Sequence, residues 1–299
     1  MDPLQQQRFE QLYQQHLTAL KLQGKRPKTI DAYSRALRRL RDHFDRCPDQ
    51  LSAAELRSYF AALIDSHSWS TVKLDRCGLQ FFFTHVLDRS WDWLRIVKPP
   101  QVRRLPDVFS IEEVARLLRA MRRLRFRVFF LTTYSCGLRL GEALALQVGD
   151  IDSAAERLHV RNGKGGKDRF LPLPELTLFA LRDFWRRHRN PRWLFPAPTP
   201  DPSTAARPMD RGGVQAALKA ALSELGIARK LSVHSLRHSY ATHLLEAGVD
   251  LRQIQTLLGH TSPITTARYA QLTEVGAANT RDCLAGLMDR LRQHWQARS

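Results

Sequence analysis

The chain has 299 residues, 43% hydrophobic and 9% aromatic, and 47 Lys+Arg against 29 Asp+Glu leave a formal net charge of +18. That much apolar material can build cores for about two domains and excludes a wholly disordered chain. Its four cysteines, Cys47, Cys77, Cys136 and Cys283, lie far apart with no CxxC pair, which excludes a disulfide scaffold or zinc knuckle and fits a reducing cytoplasm.

The longest apolar run, Val128 to Leu138, is broken by Thr132, Thr133 and Ser135 and falls short of the ~20 residues a membrane span needs. The first residues, MDPLQQQRFEQ, hold no hydrophobic signal core, so the expectation is a cytoplasmic chain with no membrane partner. A cation excess of this size favours a polyanion, because each phosphate neutralised releases condensed counterions. Residues 1–98 hold 16 Lys+Arg and 11 Asp+Glu, and residues 99–299 hold 31 and 18. Both parts are basic, so the expectation is two folded bodies that each touch an anion rather than one charged tail.

In chain order, residues 28–44 predict a helix with Tyr33, Ala36, Leu37, Leu40 and Phe44 on one stripe and Arg35, Arg38 and Arg39 off it. Further helices are predicted over 53–64 and 71–86, with Phe81, Phe82 and Phe83 in the core. Residues 98–106, rich in proline and carrying Arg103 and Arg104, read as an interdomain connection. Ser110 and Glu113 form a capping box for a helix whose apolar face is Ile111, Val114, Leu117, Leu118 and Met121. Residues 157–160 and 169–173 read as two strands of a hairpin, with a glycine- and lysine-bearing tip at 162–168. Residues 196–208, with five prolines, read as an exposed loop, and a helix follows from Gly213 to Leu225 with Gly226 as its stop.

The segment from His234 to Gly248 predicts a helix with His234, Arg237 and His238 on one face. Asp250 caps a second helix that Gly259 ends just before His260, and Ser262-Pro263 starts a third that carries Tyr269. The i, i+4 spacing of His234 and His238 could serve zinc, but no acidic or cysteine ligand stands nearby, so no metal is expected. The 163–168 turn lacks the order of a phosphate-binding P-loop and leads into a strand, so no nucleotide cofactor is expected either. What remains is arginine, lysine, histidine and tyrosine around an anion. Arginine matches phosphate oxygens bidentately, and tyrosine can attack phosphorus if a base or a cationic field compensates its pKa of ~10.

The elements Gly137-Leu138-Arg139-Leu140-Gly141-Glu142, the Gly163-Lys164-Gly165 turn, His234-xx-Arg237, Leu258-Gly259-His260 and Tyr269 nine residues later resemble the tyrosine recombinases of the phage-integrase family, and the Xer-like integrases in particular. The resemblance spans the second domain with its motifs in order, and the first domain and the Arg103-Arg104 connection share it less specifically. It implies an N-terminal, all-α, SAM-like core-binding domain at 1–98, a linker at 99–106, and a catalytic domain at 107–299 that is mainly α with a small antiparallel sheet, the two closing as a clamp on DNA. The implied activity is metal- and ATP-free cutting and rejoining of duplex DNA at specific sites through a 3′-phosphotyrosyl link.

In the implied site Arg139 and Arg237 clamp the phosphate, His260 donates to it, Tyr269 attacks, His234 assists proton removal and Lys164 protonates the leaving 5′-oxygen. Glu142 supports the site, Lys167 competes with Lys164 for the acid role and contacts DNA with Arg35, Arg38, Arg39, Arg103 and Arg104, and His238 and His243 read as structural. The implied partners are double-stranded recombination sites, three further copies in a homotetramer, and a related recombinase or accessory protein, on nucleoid DNA. The helix at 282–295 docks on a neighbour or on its own domain. The alternatives are a catalytically silent DNA-binding protein of the same fold and a DNA-relaxing tyrosine topoisomerase.

Overall fold

A computed structural model of the chain describes residues 1–91, 107–161 and 168–260, together with Thr266 and Tyr269. The expected connection at 98–106 with Arg103 and Arg104, the hairpin tip with Lys164 and Lys167, the Ser262-Pro263 cap and the helix at 282–295 lie outside the described residues. The chain divides into two compact units, Met1–Arg103 and Arg104–Ser299. No described helix is long and apolar enough to cross a membrane.

The described residues of the first unit form four α-helices: α1 (Pro3–Leu22), α2 (Pro27–Phe44), α3 (Ala53–Ser66) and α4 (Trp69–His85). Each of three starts has a side-chain cap: Asp2 accepts from the Gln5 N–H at 2.8 Å, Ser52 and Glu55 form a reciprocal box, and Ser68 accepts from Thr71. The stripe read for α2 points inward as expected, with Ala36, Leu37 and Leu40 fully buried against Phe9, Leu12, Leu56, Phe60, Leu79, Phe82 and Phe83. Helices α2 and α4 pack so closely that a Cβ on Gly78 would stand 3.0 Å from the Tyr33 Cα. Helix α1 has no counterpart in the sequence reading, because its polar glutamine run blurs the apolar positions Phe9, Leu12 and Leu20 that it buries.

The second unit is mainly helical with one small sheet. Helix α5 (Ile111–Ala120) starts at the predicted Ser110/Glu113 box, with the Ser110 N–H donating to Glu113 at 2.9 Å. Helix α6 (Leu124–Ser135) is its centre, burying Val128, Phe129 and Phe130. The short α7 (Leu140–Leu144) follows. Strands β1 (Ile151–Asp152), β2 (Arg157–Val160) and β3 (Arg169–Pro172) form an antiparallel sheet in that order, with Leu158 opposite Leu171 in the core and His159 opposite Phe170 on the other face. Strands β2 and β3 fall where the sequence predicts them; the two-residue β1 is too short to carry an alternation pattern.

Helices α8 (Glu175–His188), α9 (Arg211–Glu224), α10 (Val233–Glu246) and α11 (Leu251–Leu258) complete the unit. Between α8 and α9 the segment read as an exposed loop at 196–208 is a loop with much of its length exposed, and it is tied down at particular points. Asn190, 1% exposed, donates to the carbonyls of Pro202, Ser203 and Ala205 at 2.9–3.1 Å, and Pro196 pairs with Pro208 across a bridge. One buried amide thus organises a segment whose prolines cannot supply ladder donors of their own.

Candidate active site

The site begins where α6 stops. Gly137 takes φ +57°, and a Cβ there would run into the ring of Tyr240, so only glycine makes this turn without strain. Beyond the turn Arg139 stands at the N-cap of α7, and its backbone N–H donates to Glu142 Oε2 at 2.9 Å. The supporting carboxylate and the phosphate-clamp candidate are therefore coupled by the start of one short helix.

Three guanidinium groups surround that carboxylate. Arg139 donates from Nη1 to Glu142 Oε1 at 2.6 Å and from Nη2 to the Gly259 carbonyl at 3.3 Å. Arg169, on β3, donates from Nη1 and Nη2 to the two carboxylate oxygens at 3.1 and 2.9 Å, and from Nε to the Leu257 carbonyl at 2.9 Å. Arg237 is fully buried, with Nη1 donating to the Gly137 carbonyl at 2.6 Å and lying 3.8 Å from Glu142 Oε2, and with Nη2 donating to the Leu258 carbonyl at 2.5 Å. Its Nε–H makes no hydrogen bond among the described residues.

Burial pushes the Glu142 carboxyl up, but hydrogen bonds and charge from Arg169, with further bonds from Arg139, overcome it and hold the group at about 2. Burial pushes Arg237 down to about 9, and the neighbouring charge of Arg139 adds to the push while Glu142 opposes it. Three cations and one anion in a dry setting give a cluster with excess positive charge whose natural complement is an anion.

The α10 face read from the sequence splits in the structure. Arg237 points inward, His234 is exposed at the rim, and His238 is half-buried with its Nδ1 2.9 Å from the Tyr269 hydroxyl. The His234 and His238 rings meet edge to face at 4.7 Å. Tyr269 is 2% exposed and packs with Ala241, Ile254 and Leu258, and its ring lies parallel to that of His260 at 6.4 Å. His260 follows Gly259, which takes φ +60° to end α11, and its Nδ1 lies 2.9 Å from the Thr266 hydroxyl. Burial, then the charges of Arg237 and Arg139, bring His260 down to about 3 and also lower His234, so both rings favour the neutral form near pH 7.

Of the residues named from the sequence, Arg139, Glu142 and Arg237 meet through direct contacts, and His234 reaches Tyr269 through the ring of His238. Lys164 and Lys167 lie outside the described residues. In the first unit Arg35 pairs with Asp31 at 2.9 Å on the surface, Arg38 lies over the Tyr13 ring, and Arg39 donates to the buried Asp75 at 2.6 Å. Arg39 therefore has a structural partner, shared with the Tyr59 hydroxyl at 3.2 Å.

His243 accepts the structural reading, paired with the Tyr134 hydroxyl at 2.8 Å, whereas His238 stands on the candidate nucleophile. Arg169 is missed altogether by sequence reasoning, since nothing in the spacing of a strand residue pairs it with a carboxylate 27 positions away. Among the described residues no three His, Cys, Asp or Glu side chains gather as a metal site.

Residues 107–275 match the phage integrase family, and residues 12–93 match the phage integrase N-terminal SAM-like domain. An integrase/recombinase of Escherichia coli is 33% identical over 300 residues, covering 87% of this chain and 89% of its own. Tyrosine recombinase XerC of Halalkalibacterium halodurans is 32% identical over 268 residues, covering 83% and 88%. In fold, the chain is similar to a lambda integrase dimer bound to a core site, with a TM-score of 0.72 at 17% identity over 87% of this chain and 94% of that one. With both units matched in order and relatives aligned along most of their length, the chain belongs to the phage integrase family, as a tyrosine recombinase of the Xer-like type.

Proposed function

We propose that this chain performs site-specific DNA recombination with Tyr269 as the nucleophile and Arg139 and Arg237 as the clamp on the scissile phosphate. The observation that supports this best is the arginine cluster itself: guanidinium groups held at fixed positions by Glu142 and by the carbonyls of Gly137, Leu258 and Gly259. Donors fixed before the reaction need not reorganise as negative charge builds on a pentavalent phosphorus, which is where such a site lowers a barrier.

In the proposed step the Tyr269 oxygen attacks phosphorus, the bond to the 5′-oxygen breaks, and the product is a 3′-phosphotyrosyl link with a free 5′-hydroxyl. His260, as a neutral imidazole, keeps one N–H and can donate it to a phosphate oxygen. His234 assists removal of the tyrosine proton, and Lys164 protonates the departing oxygen. The phosphoester is exchanged rather than hydrolysed, so the reverse attack by another strand's 5′-hydroxyl reseals the DNA.

The division proposed is residues 1–98 for core binding, 99–106 for the connection and 107–299 for catalysis, with both parts lending cations to duplex DNA in the cytoplasm. Lys167, Arg103, Arg104, Arg35 and Arg38 are proposed for flanking phosphates. Two recombination sites and four protomers, with a related recombinase or an accessory protein, would make up the working assembly.

A suicide DNA substrate, nicked next to the cleavage site so that the 5′-hydroxyl strand diffuses away, tests the reading. Wild-type protein should accumulate a covalent adduct and Tyr269→Phe should not. No adduct from the wild type, or as much from the phenylalanine variant, sinks it.

A further inference from the structure

Resting on that reading, we infer that His238, one residue after the buried arginine, is the group that takes the proton from Tyr269, and that His234 acts on the tyrosine only through it. Three observations converge. The His238 Nδ1 lies 2.9 Å from the Tyr269 hydroxyl, within the range of a direct proton transfer. The two rings are 5.7 Å apart at 52°, so the contact is made by the edge of the imidazole and its ring does not cover the phenol face. Tyr269 itself is 2% exposed, which limits the access of bulk water as an alternative acceptor.

The placement follows from α10. Arg237 enters the core, and its two carbonyl anchors, on Gly137 and Leu258, fix the rotation of the helix. The next residue is then turned by about 100° and emerges on the side where Tyr269 packs. His234, one turn earlier, packs edge to face with the same imidazole, ring centroids 4.7 Å apart, and lies at the exposed rim. It supports the orientation of His238 and is a positioning residue.

The chemistry closes. A phenol has a proton to give and a neutral imidazole one lone pair to receive it, so the Tyr269 hydroxyl donates and His238 accepts at Nδ1 with its own proton on Nε2. A phenol is a far weaker acid than an imidazolium, so full transfer does not precede attack. The proton moves as the new oxygen–phosphorus bond forms and the hydroxyl becomes strongly acidic. The phosphorus loses its bond to the 5′-oxygen, which takes a proton from the general acid, and His238 is left as imidazolium. On resealing, His238 returns that proton to the departing tyrosine oxygen, so no external acid or base is consumed.

The test uses the full chain on the suicide substrate and on the same substrate with sulfur in place of the bridging 5′-oxygen, a leaving group that needs no protonation. His238→Ala should slow adduct formation by about 10²-fold or more on both substrates, whereas Lys164→Ala should be slow on the oxygen substrate alone. His238→Gln keeps a hydrogen-bond acceptor that cannot take a proton. It should bind the DNA and melt like the wild type yet remain slow, which separates chemistry from folding. Difluorotyrosine at position 269, a more acidic phenol, should recover part of the rate in His238→Ala.

A His238→Gln rate within about threefold of wild type overturns the assignment, as does rescue of His238→Ala by the sulfur substrate. If the wild type forms no adduct at all, the recombinase reading fails. If it does and His238→Ala matches it, this inference fails alone.

Discussion

Arg169 and Glu142 are joined by two parallel hydrogen bonds, 3.1 and 2.9 Å, with side-chain exposures of only 11% and 8%. This fork ties the sheet to the start of α7, and Arg139 uses the same carboxylate from the other side. The position of the proposed phosphate clamp thus depends on a pair that stands outside it.

Replacing the carboxylate should therefore cost stability as well as activity. Glu142→Gln leaves three guanidinium groups without their anion, and loss of one partner of such a buried pair costs about 3 kcal/mol or more. Because the folded carboxyl is held at about 2 against an ordinary 4.5, its contribution is complete above about pH 4.5 and is lost as pH falls toward 2. Urea unfolding of both proteins should show a gap at pH 7 that narrows below pH 4.5. A constant gap would mean that Glu142 acts through shape alone.

Gly137→Ala should lower the Tm without touching any charge. The variant must hold φ near +57° and displace the Tyr240 ring, which together cost about 3 kcal/mol. The same displacement shifts the carbonyl that anchors Arg237, so adduct formation should fall along with thermal stability. An unchanged Tm in a calorimetric scan would contradict the strain.

The two clamp arginines should separate in a stability measurement although both nearly abolish cleavage. Arg237→Ala strips donors from the buried carbonyls of Gly137 and Leu258 and opens a cavity in the core, so it should melt well below wild type. Arg139 is 21% exposed, and Arg139→Ala leaves Arg169 on the carboxylate, so it should melt much closer to wild type. In gel-shift titrations both variants should keep most DNA affinity, because the remaining cations still neutralise flanking phosphates. Parallel losses of affinity and cleavage would assign these arginines to binding.

In the first unit, His16 is fully buried against the rings of Phe81 and Phe82, at 5.6 and 5.7 Å. Burial lowers its pKa to about 4 from 6.5, so the unfolded chain takes up the proton first. Stability is then complete above about pH 6.5 and falls as pH drops toward 4, by up to about 3 kcal/mol. His16→Leu should flatten that part of the acid profile, read by urea unfolding at pH 7, 5.5 and 4. An unaltered slope would place the acid sensitivity elsewhere.

The helices whose ends could be read were those whose own residues carry both pattern and punctuation. Ser110 with Glu113 and Asp250 with Gly259 mark their helix ends by local hydrogen bonding and local backbone geometry, which a sequence displays directly. Helix α1 escaped because its glutamines weaken the periodicity, and the anchoring of the 196–208 loop escaped because its organiser, Asn190, lies before it in the chain and works through its side chain. Among site residues, Arg139, Arg237, His260 and Tyr269 stood out by spacing within known motifs. Arg169 did not, because its role exists only once β3 is laid beside α7.

Residue order by itself determined the basic charge of both parts, the family and the residues proposed to react, since motif spacing and net charge are properties of the covalent sequence. Tertiary structure alone decided which histidine meets the tyrosine. His234 and His238 are one helical turn apart and chemically alike, and only the burial of Arg237 between them, anchored to two carbonyls from other segments, turns His238 toward Tyr269 and leaves His234 at the rim.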